Sequence, residues 1–264
     1  VVTLLIHLFR ILLSGTYRAP RETTWLVGIF LLLTILAFAT SGYLLPWDQW
    51  AYWTTTDGID HLEHIPLLGG LVAQLFRADE FVSGATLSRF YATHVILLPW
   101  VALLLLSLHF QLVRKHGVVP GPGPHGPQGA KENEGVPFFP HHMLRQLVVA
   151  LLILATLVTL ATFWPRPFAG PADPFTLPSD LHPLGIPATI LVGAGRLPLG
   201  IGFVGLPVLF LLLALLPLLD RSDGKRITER PVALVISALF LLLLLISWAV
   251  GAGIVPGFQE GGTP

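Results

Sequence analysis

Three histidines occupy positions where an ionisable side chain is costly. His94 and His109 fall inside the apolar run "ATHVILLPWVALLLLSLHF", and His7 inside the opening "VVTLLIHLFR". Ionisable groups within a membrane span are rare, face the bundle interior and mark function. His94 and His109 are fifteen residues apart, which on a regular helix is about 22 Å along the axis and about 60° around it. One side of one helix therefore carries an imidazole near each end. Flanking charges give the depths. His109 lies five residues before Arg114 and His7 three before Arg10, so both sit about 4–8 Å inside one boundary at the helical rise. His94 lies five residues after Arg89, near the opposite boundary, and no other embedded histidine shares its level. The remaining His61, His64, His116, His125, His141, His142 and His182 read as loop residues, solvated or interfacial.

Isolated histidine pairs at matched depth suit heme iron. Neutral imidazole is a good axial ligand, and filling both axial positions favours electron transfer over oxygen binding. Zinc recruits four ligands from a tighter cluster. A proton relay would place carboxylates beside the histidines, and these helices have none. The chain has no cysteine, which excludes disulfides, thiolate zinc sites and cysteine-ligated iron–sulfur clusters within it. Gly28 and Gly42 add a second pattern: they are fourteen residues apart, about 21 Å on nearly one helix face, at the same two levels as the histidines. A flat macrocycle needs walls without side chains, although small-residue helix packing uses such glycines too.

The elements that must position these residues are membrane helices. The 264 residues are 53% hydrophobic and 11% charged with a mean hydropathy of +0.75, outside the range of ordinary soluble domains. A zero net charge and the lack of a basic block give no reason to expect nucleic acid. Five stretches reach the roughly 20 apolar residues a span requires: 24–45, 90–113, 144–164, 199–219 and 231–251. The opening stretch reads as the back half of a further helix. The expected fold is thus an all-α polytopic transmembrane bundle, five full spans plus a partial first helix. The 47–88 loop, with "HIPLLGGLVAQLF" short of a span, is expected to lie on the membrane surface as an interfacial helical hairpin. Trp47, Trp50, Tyr52 and Trp53 stand at its start, where aromatic anchors belong. The loops on the His7 and His109 side hold eleven of the fifteen Lys and Arg, which makes that side cytoplasmic. A Pro/Gly-rich linker, 117–136, separates a front region, 1–116, from a three-helix back region, 137–264.

The motifs "HLFR" at 7, "PRETTWLVG" at 20, "SGYLLPWDQWAYW" at 41, "GATLSRFYATHVILLP" at 84 and "HFQLVRKHG" at 109 resemble cytochrome b, and more closely its cytochrome b6 branch. The resemblance covers residues 1 to about 117 with its motifs in order. It implies two b hemes in the complete protein: one between His7 and His109, the other between His94 and a histidine fourteen positions before His7, outside this sequence. It also implies heme-propionate contacts from Arg89, Arg114 and Arg10, and a quinone site drawing on Tyr43, Pro46 and Trp47. Residues 137–256, through "PADPF" at 171, Pro178, Pro183 and Arg230-Pro231, are similar to the subunit IV of the same complexes, as in a single-chain cytochrome b.

That resemblance implies a diheme subunit of a bc-type quinol:electron-acceptor oxidoreductase in a cytoplasmic (inner) membrane. Its partners would be lipid, quinone, and Rieske iron–sulfur and cytochrome c-type subunits or another redox subunit, in a dimeric complex. One motif departs from the family. Where the family carries Pro-Glu-Trp-Tyr, this chain has Pro183-Leu184-Gly185-Ile186, and Leu184 cannot accept a quinol proton; Asp180 and His182 are the nearest replacements. A non-bifurcating, quinone-linked diheme anchor serving a different redox partner is therefore a second reading. A transporter or scaffold is a third; it would call for polar or broken helices at midplane, whereas these spans are almost uniformly Leu, Val and Ile.

Overall fold

The structure is a computed structural model that describes residues 1–63, 65, 68–117, 138–165, 169–178, 186–198, 201–222, 224 and 227–255. Hydrocarbon offers no hydrogen bonds, so a spanning chain has to satisfy its backbone internally, and a helix does so. Among the described residues the regular elements are helical: α1 (Val2–Ser14), α2 (Glu22–Tyr43), α3 (Gln49–Glu63), α4 (Gly69–Arg77), α5 (Gly84–Ala92), α6 (Leu98–His116), α7 (Met143–Phe163), α8 (Ile186–Arg196), α9 (Ile201–Ala214), α10 (Leu216–Leu219) and α11 (Pro231–Gly251). A π-helical turn, Thr93–Leu97, joins α5 to α6. Among the described residues four segments are long and apolar enough to cross a membrane: Glu22–Tyr43, Gly84–His116, Phe139–Phe163 and Pro231–Gly251. They match four of the five expected spans.

The fifth, 199–219, departs from expectation. It is not one rod: α9 ends at Ala214, Leu215 turns, and α10 is a single turn, so a fifth crossing exists only if α9 is joined to α8 as a bent pair. Pro217 explains the break, because it has no N–H for the Leu213 carbonyl and its ring crowds that carbonyl. The indole of Trp25 fills the gap, donating from Nε1 to the Leu213 oxygen at 2.7 Å. A buried acceptor left bare would cost about 1–3 kcal/mol, so α2 and the α9–α10 break are complementary.

The chain forms two compact units. One comprises 1–117 with 169–264, the other 118–168. The second contains α7, whose sequence beyond Gln146, "LVVALLILATLVTLATF", is apolar on every side apart from threonines, as a helix surrounded by lipid or other helices requires. In the first unit, Leu8, Leu12, Tyr17, Trp25, Ile29 and Leu32 share one core with Leu209, Leu213, Leu216, Ala233, Ile236 and Phe240. Helices from both ends of the sequence are therefore one packed body. α8 and α11 approach at backbone distance: a Cβ on Gly193 would lie 1.7 Å from the Ser247 carbonyl oxygen, and one on Gly251 1.9 Å from that of Thr189. Only glycine permits such contact.

A polar knot ties α1 to the start of α11. Arg230 is fully buried and donates to the Leu12 carbonyl at 2.9 Å, the Leu13 carbonyl at 2.6 Å and the Tyr17 hydroxyl at 3.1 Å. It thereby pairs carbonyls that the end of α1 leaves open. Gly15, left-handed at φ +68, leaves room for it, since a Cβ there would meet Arg230 Nη1 at 2.8 Å. Tyr17 in turn donates to Asp220. Burial opposes the charge on Asp220, but hydrogen bonds from Ser222 and Tyr17 and the nearby Arg18 hold its carboxyl below the usual carboxylate range.

The 47–88 segment folds as two short packed helices, α3 and α4, as expected of a hairpin. Arg77 closes them, bonding Asp60 and Glu63 at 2.8 Å each. Leu44, Tyr52, Ile59, Ala73, Val82 and Phe90 form its core. Ser83 starts α5 with a capping box: its Oγ accepts from Ala85 N–H at 3.2 Å, and Thr86 Oγ1 accepts from Ser83 N–H at 2.9 Å, the pattern that pairs open donors at a helix start.

Candidate functional site

The π turn decides how His94 and His109 are presented. Pro99 cannot donate to the carbonyl of Val95, so the regular ladder is already interrupted there. The chain responds with a wider turn in which the Leu98 N–H bonds the Thr93 carbonyl, five residues back. A π turn takes in one residue more than an α turn. Fifteen residues of this helix thus rotate about as far as fourteen of a regular one, about 40° short of four turns rather than 60° past them. That is the rotation between Gly28 and Gly42 on α2, which packs alongside. The unequal spacings in the sequence are equal in space, and each histidine meets one glycine.

At the His94 station the fit is tight. A Cβ on Gly42 would lie 2.6 Å from His94 Cε1 and 3.1 Å from Nδ1. The imidazole is half-buried, with the Phe38 ring set edge-on at 5.2 Å and 86°. Ser41 Oγ lies 3.0 Å from His94 Nδ1. At the His109 station the fit is looser: a Cβ on Gly28 would lie 3.4 Å from His109 Cε1 and 3.9 Å from Nδ1. His109 Nδ1 is buried with no hydrogen-bond partner of good geometry among the described residues, and the Thr24 backbone lies beside the ring as a weak one. His7, exposed on α1, lies within electrostatic range of His109. Each glycine leaves room on α2 for an imidazole ring.

The other expected residues are distributed as follows. Arg89 donates to the carbonyls of Gln74, at 3.4 Å, and Leu75, so it caps the end of α4. Arg10 and Arg114 are exposed on α1 and α6. Tyr43 ends α2. Pro46 and Trp47 follow it, Trp47 in the left-handed region at φ 52 with its ring edge-on to Tyr52 at 5.7 Å. A bulky residue at positive φ is held only where its surroundings overdetermine it, at roughly 1–3 kcal/mol. Here they do: Ala172 N–H bonds the Trp47 carbonyl at 3.2 Å and Gln49 N–H the Gly170 carbonyl at 2.9 Å, while Asp48 and Pro171 form an antiparallel bridge. Trp53 Nε1 reaches the Asp173 and Thr176 carbonyls at 3.2 and 3.1 Å. The "PWDQW" and "PADPF" motifs are thus two sides of one contact. Pro183, Leu184, Gly185, Asp180 and His182 lie outside the described residues.

Several residues stand where their sequence pattern gives no indication. His61 is not in a loop: it lies in α3, stacked on Phe203 at 5.9 Å and 15°, because α3 packs on α8 and α9 brings Phe203 over it. His116 closes α6, its Nδ1 3.2 Å from Thr24 Oγ1 and its carbonyl accepting from Arg21 at 3.0 Å; the helix runs past Arg114 and Lys115. His141 and His142 lie in a turn leading into α7. Ser41 carried no sequence signal beyond its place before Gly42.

The donor set suits an iron porphyrin. Imidazoles at two levels, one with a buried ring nitrogen, and glycine surfaces beside both are what axial ligation between packed helices requires, and no three His, Cys, Asp or Glu side chains gather into a metal cluster among the described residues. Residues 1–171 match a family profile described as "Cytochrome b(N-terminal)/b6/petB". The chain is 42% identical over 118 residues to the cytochrome b6 of Synechocystis sp., covering 45% of this chain and 53% of that protein. It is 32% identical over 245 residues to the cytochrome b of Allochromatium vinosum, covering 85% and 59%. A solved chain described as "Hyperthermophilic respiratory Complex III" superimposes with a TM-score of 0.71 at 25% identity, covering 95% of this chain and 75% of that one. The chain spans somewhat over half the length of the curated relatives it matches.

Proposed function

The chain belongs to the cytochrome b/b6 family, and from that premise we propose that it is the diheme, quinone-linked electron-transfer subunit of a bc-type quinol oxidoreductase. It is an integral, multi-pass membrane protein of helices, in this reading in the cytoplasmic membrane of its cell. The observation that carries the proposal is the pair of imidazole–glycine stations, His94 with Gly42 and His109 with Gly28, about 21 Å apart along one helix pair. His109 and His7 would hold one b heme. His94 would hold the other against a histidine outside this sequence. When bound, the hemes supply one-electron transfer, and the protein sets their position and potential. Glycine admits each ring to α2, and Phe38 restrains His94. Arg89, Arg114 and Arg10, three of the cations within the matched motifs, would contact the heme propionates. Tyr43, Pro46 and Trp47, the last of them bonded by Ala172, would form part of a quinone site at the His94 end. Partners would be Rieske-type and cytochrome c-type subunits in a dimeric complex, with regions 1–116 and 137–264 acting as a fused front and back.

Reduced-minus-oxidised spectra of the protein purified from membranes with its complex test this. A b-type band with two potentiometric components is expected; no b-type band after heme supplementation would sink it. A second reading has its own observation. Leu184 stands where a proton-accepting Glu would be, which favours a relay that passes electrons to another partner without bifurcation. Quinol-driven reduction insensitive to inhibitors of the His94-side quinone site would select that reading.

A further inference from the structure

We propose that Ser41 sets the reduction potential of the heme held by His94, by accepting a hydrogen bond from His94 Nδ1, and that the His109 station lacks this control because Val27 takes the matching place. The inference rests on His94 being an axial ligand. A serine hydroxyl has one proton to give. Ser41 is 5% exposed and donates to the Ala37 carbonyl one turn back at 2.6 Å. Its oxygen is therefore left to accept, and His94 Nδ1 at 3.0 Å must bring the proton. That fixes the tautomer with Nδ1 protonated and Nε2 bare, the form that binds iron. Phe38, edge-on at 5.2 Å, opposes ring rotation out of this bond.

The consequence is electronic. A ligating histidine whose second N–H is held by an acceptor is a more basic ligand. A more basic ligand favours the ferric over the ferrous state, so the potential falls. The two stations make an internal comparison: Ser41 precedes Gly42, whereas Val27 precedes Gly28. Val27 is buried at 6% exposure and offers no side-chain oxygen, and among the described residues no hydroxyl bonds His109 Nδ1, whose neighbour is the Thr24 backbone. The same backbone geometry carries a hydroxyl at one level and a methyl at the other.

Potentiometric titration of the purified complex decides the matter, with heme content and low-spin ferric EPR recorded alongside. Ser41→Ala should shift the ferrous-to-ferric ratio of the His94 component toward ferrous by about tenfold at fixed ambient potential, which for one electron is about 59 mV. Ser41→Thr should restore the wild-type value and EPR signal. Val27→Thr should move the His109 component the opposite way and leave the His94 component unchanged. Wild-type potentials in Ser41→Ala would overturn the proposal. If Ser41→Ala loses heme instead, Val27→Thr decides, and an unmoved His109 component overturns the proposal. Failure of the parent reading looks different: His94→Leu would then retain both components.

Discussion

Adding one methyl group at Gly42 should separate the two stations. The added Cβ of Gly42→Ala would lie 2.6 Å from His94 Cε1, whereas carbon atoms rest favourably at about 3.5 Å or more. The ring must back away by about 0.9 Å to reach that separation. The Ser41 hydrogen bond starts at 3.0 Å, so a displacement of that size breaks it, and Phe38 stands on another side of the ring. Overpacking of this kind costs about 1–3 kcal/mol, and an axial ligand displaced by nearly 1 Å no longer presents its nitrogen to iron in the geometry its site was built for. The same change at Gly28 meets His109 Cε1 at 3.4 Å, ordinary contact. Gly42→Ala should therefore lose or strongly perturb the His94 heme component while Gly28→Ala keeps both. Heme-to-protein ratio and redox titration in solubilised membranes read this out. Equal loss in the two variants, or a Gly42→Ala protein with both components at their wild-type potentials, would refute the reasoning.

Other expectations concern the body that holds the site. Trp25→Phe bares the Leu213 carbonyl and should destabilise the solubilised protein by about 1–2 kcal/mol; pairing it with Pro217→Ala, which restores a backbone donor, should recover part of that loss in thermal unfolding. Arg230→Met leaves Tyr17 and the Leu12 and Leu13 carbonyls without their buried donor and should destabilise by at least about 2 kcal/mol, whereas a loss near zero would remove Arg230 from the account. Burial, then the bond to Asp220, pushes the Tyr17 phenol up to about 12 against the pull of Arg230. The folded state thus retains that proton more tightly than the unfolded chain, whose phenol titrates near 10. The resulting stability is whole below pH of about 10 and is lost as pH rises through about 12; Tyr17→Phe should flatten that part of the stability profile.

The spans were legible because a bilayer demands about 20 apolar residues in a row, a requirement that leaves its mark on composition. The break at Leu215 was not, since Pro207 and Pro217 interrupt a ladder without making the stretch less apolar. The spacing of the histidines and of the glycines could be read along the sequence, but not their angular match, because the π turn at Thr93–Leu97 absorbs a residue and hydropathy does not register hydrogen-bond period. "PWDQW" and "PADPF" were each visible as motifs. Their pairing, across more than 120 residues, belongs to tertiary structure alone. Ser41 and Arg230 act through partners that no local pattern identifies.

The central claim is that one helix carries axial ligands to two different hemes, and two single substitutions test it most directly. In redox-resolved difference spectra of the purified complex, His94→Leu and His109→Leu should each abolish one b-type component, a different one in each variant, and leave the other at its own potential. Both components surviving in either variant, or the same component vanishing in both, would contradict the account.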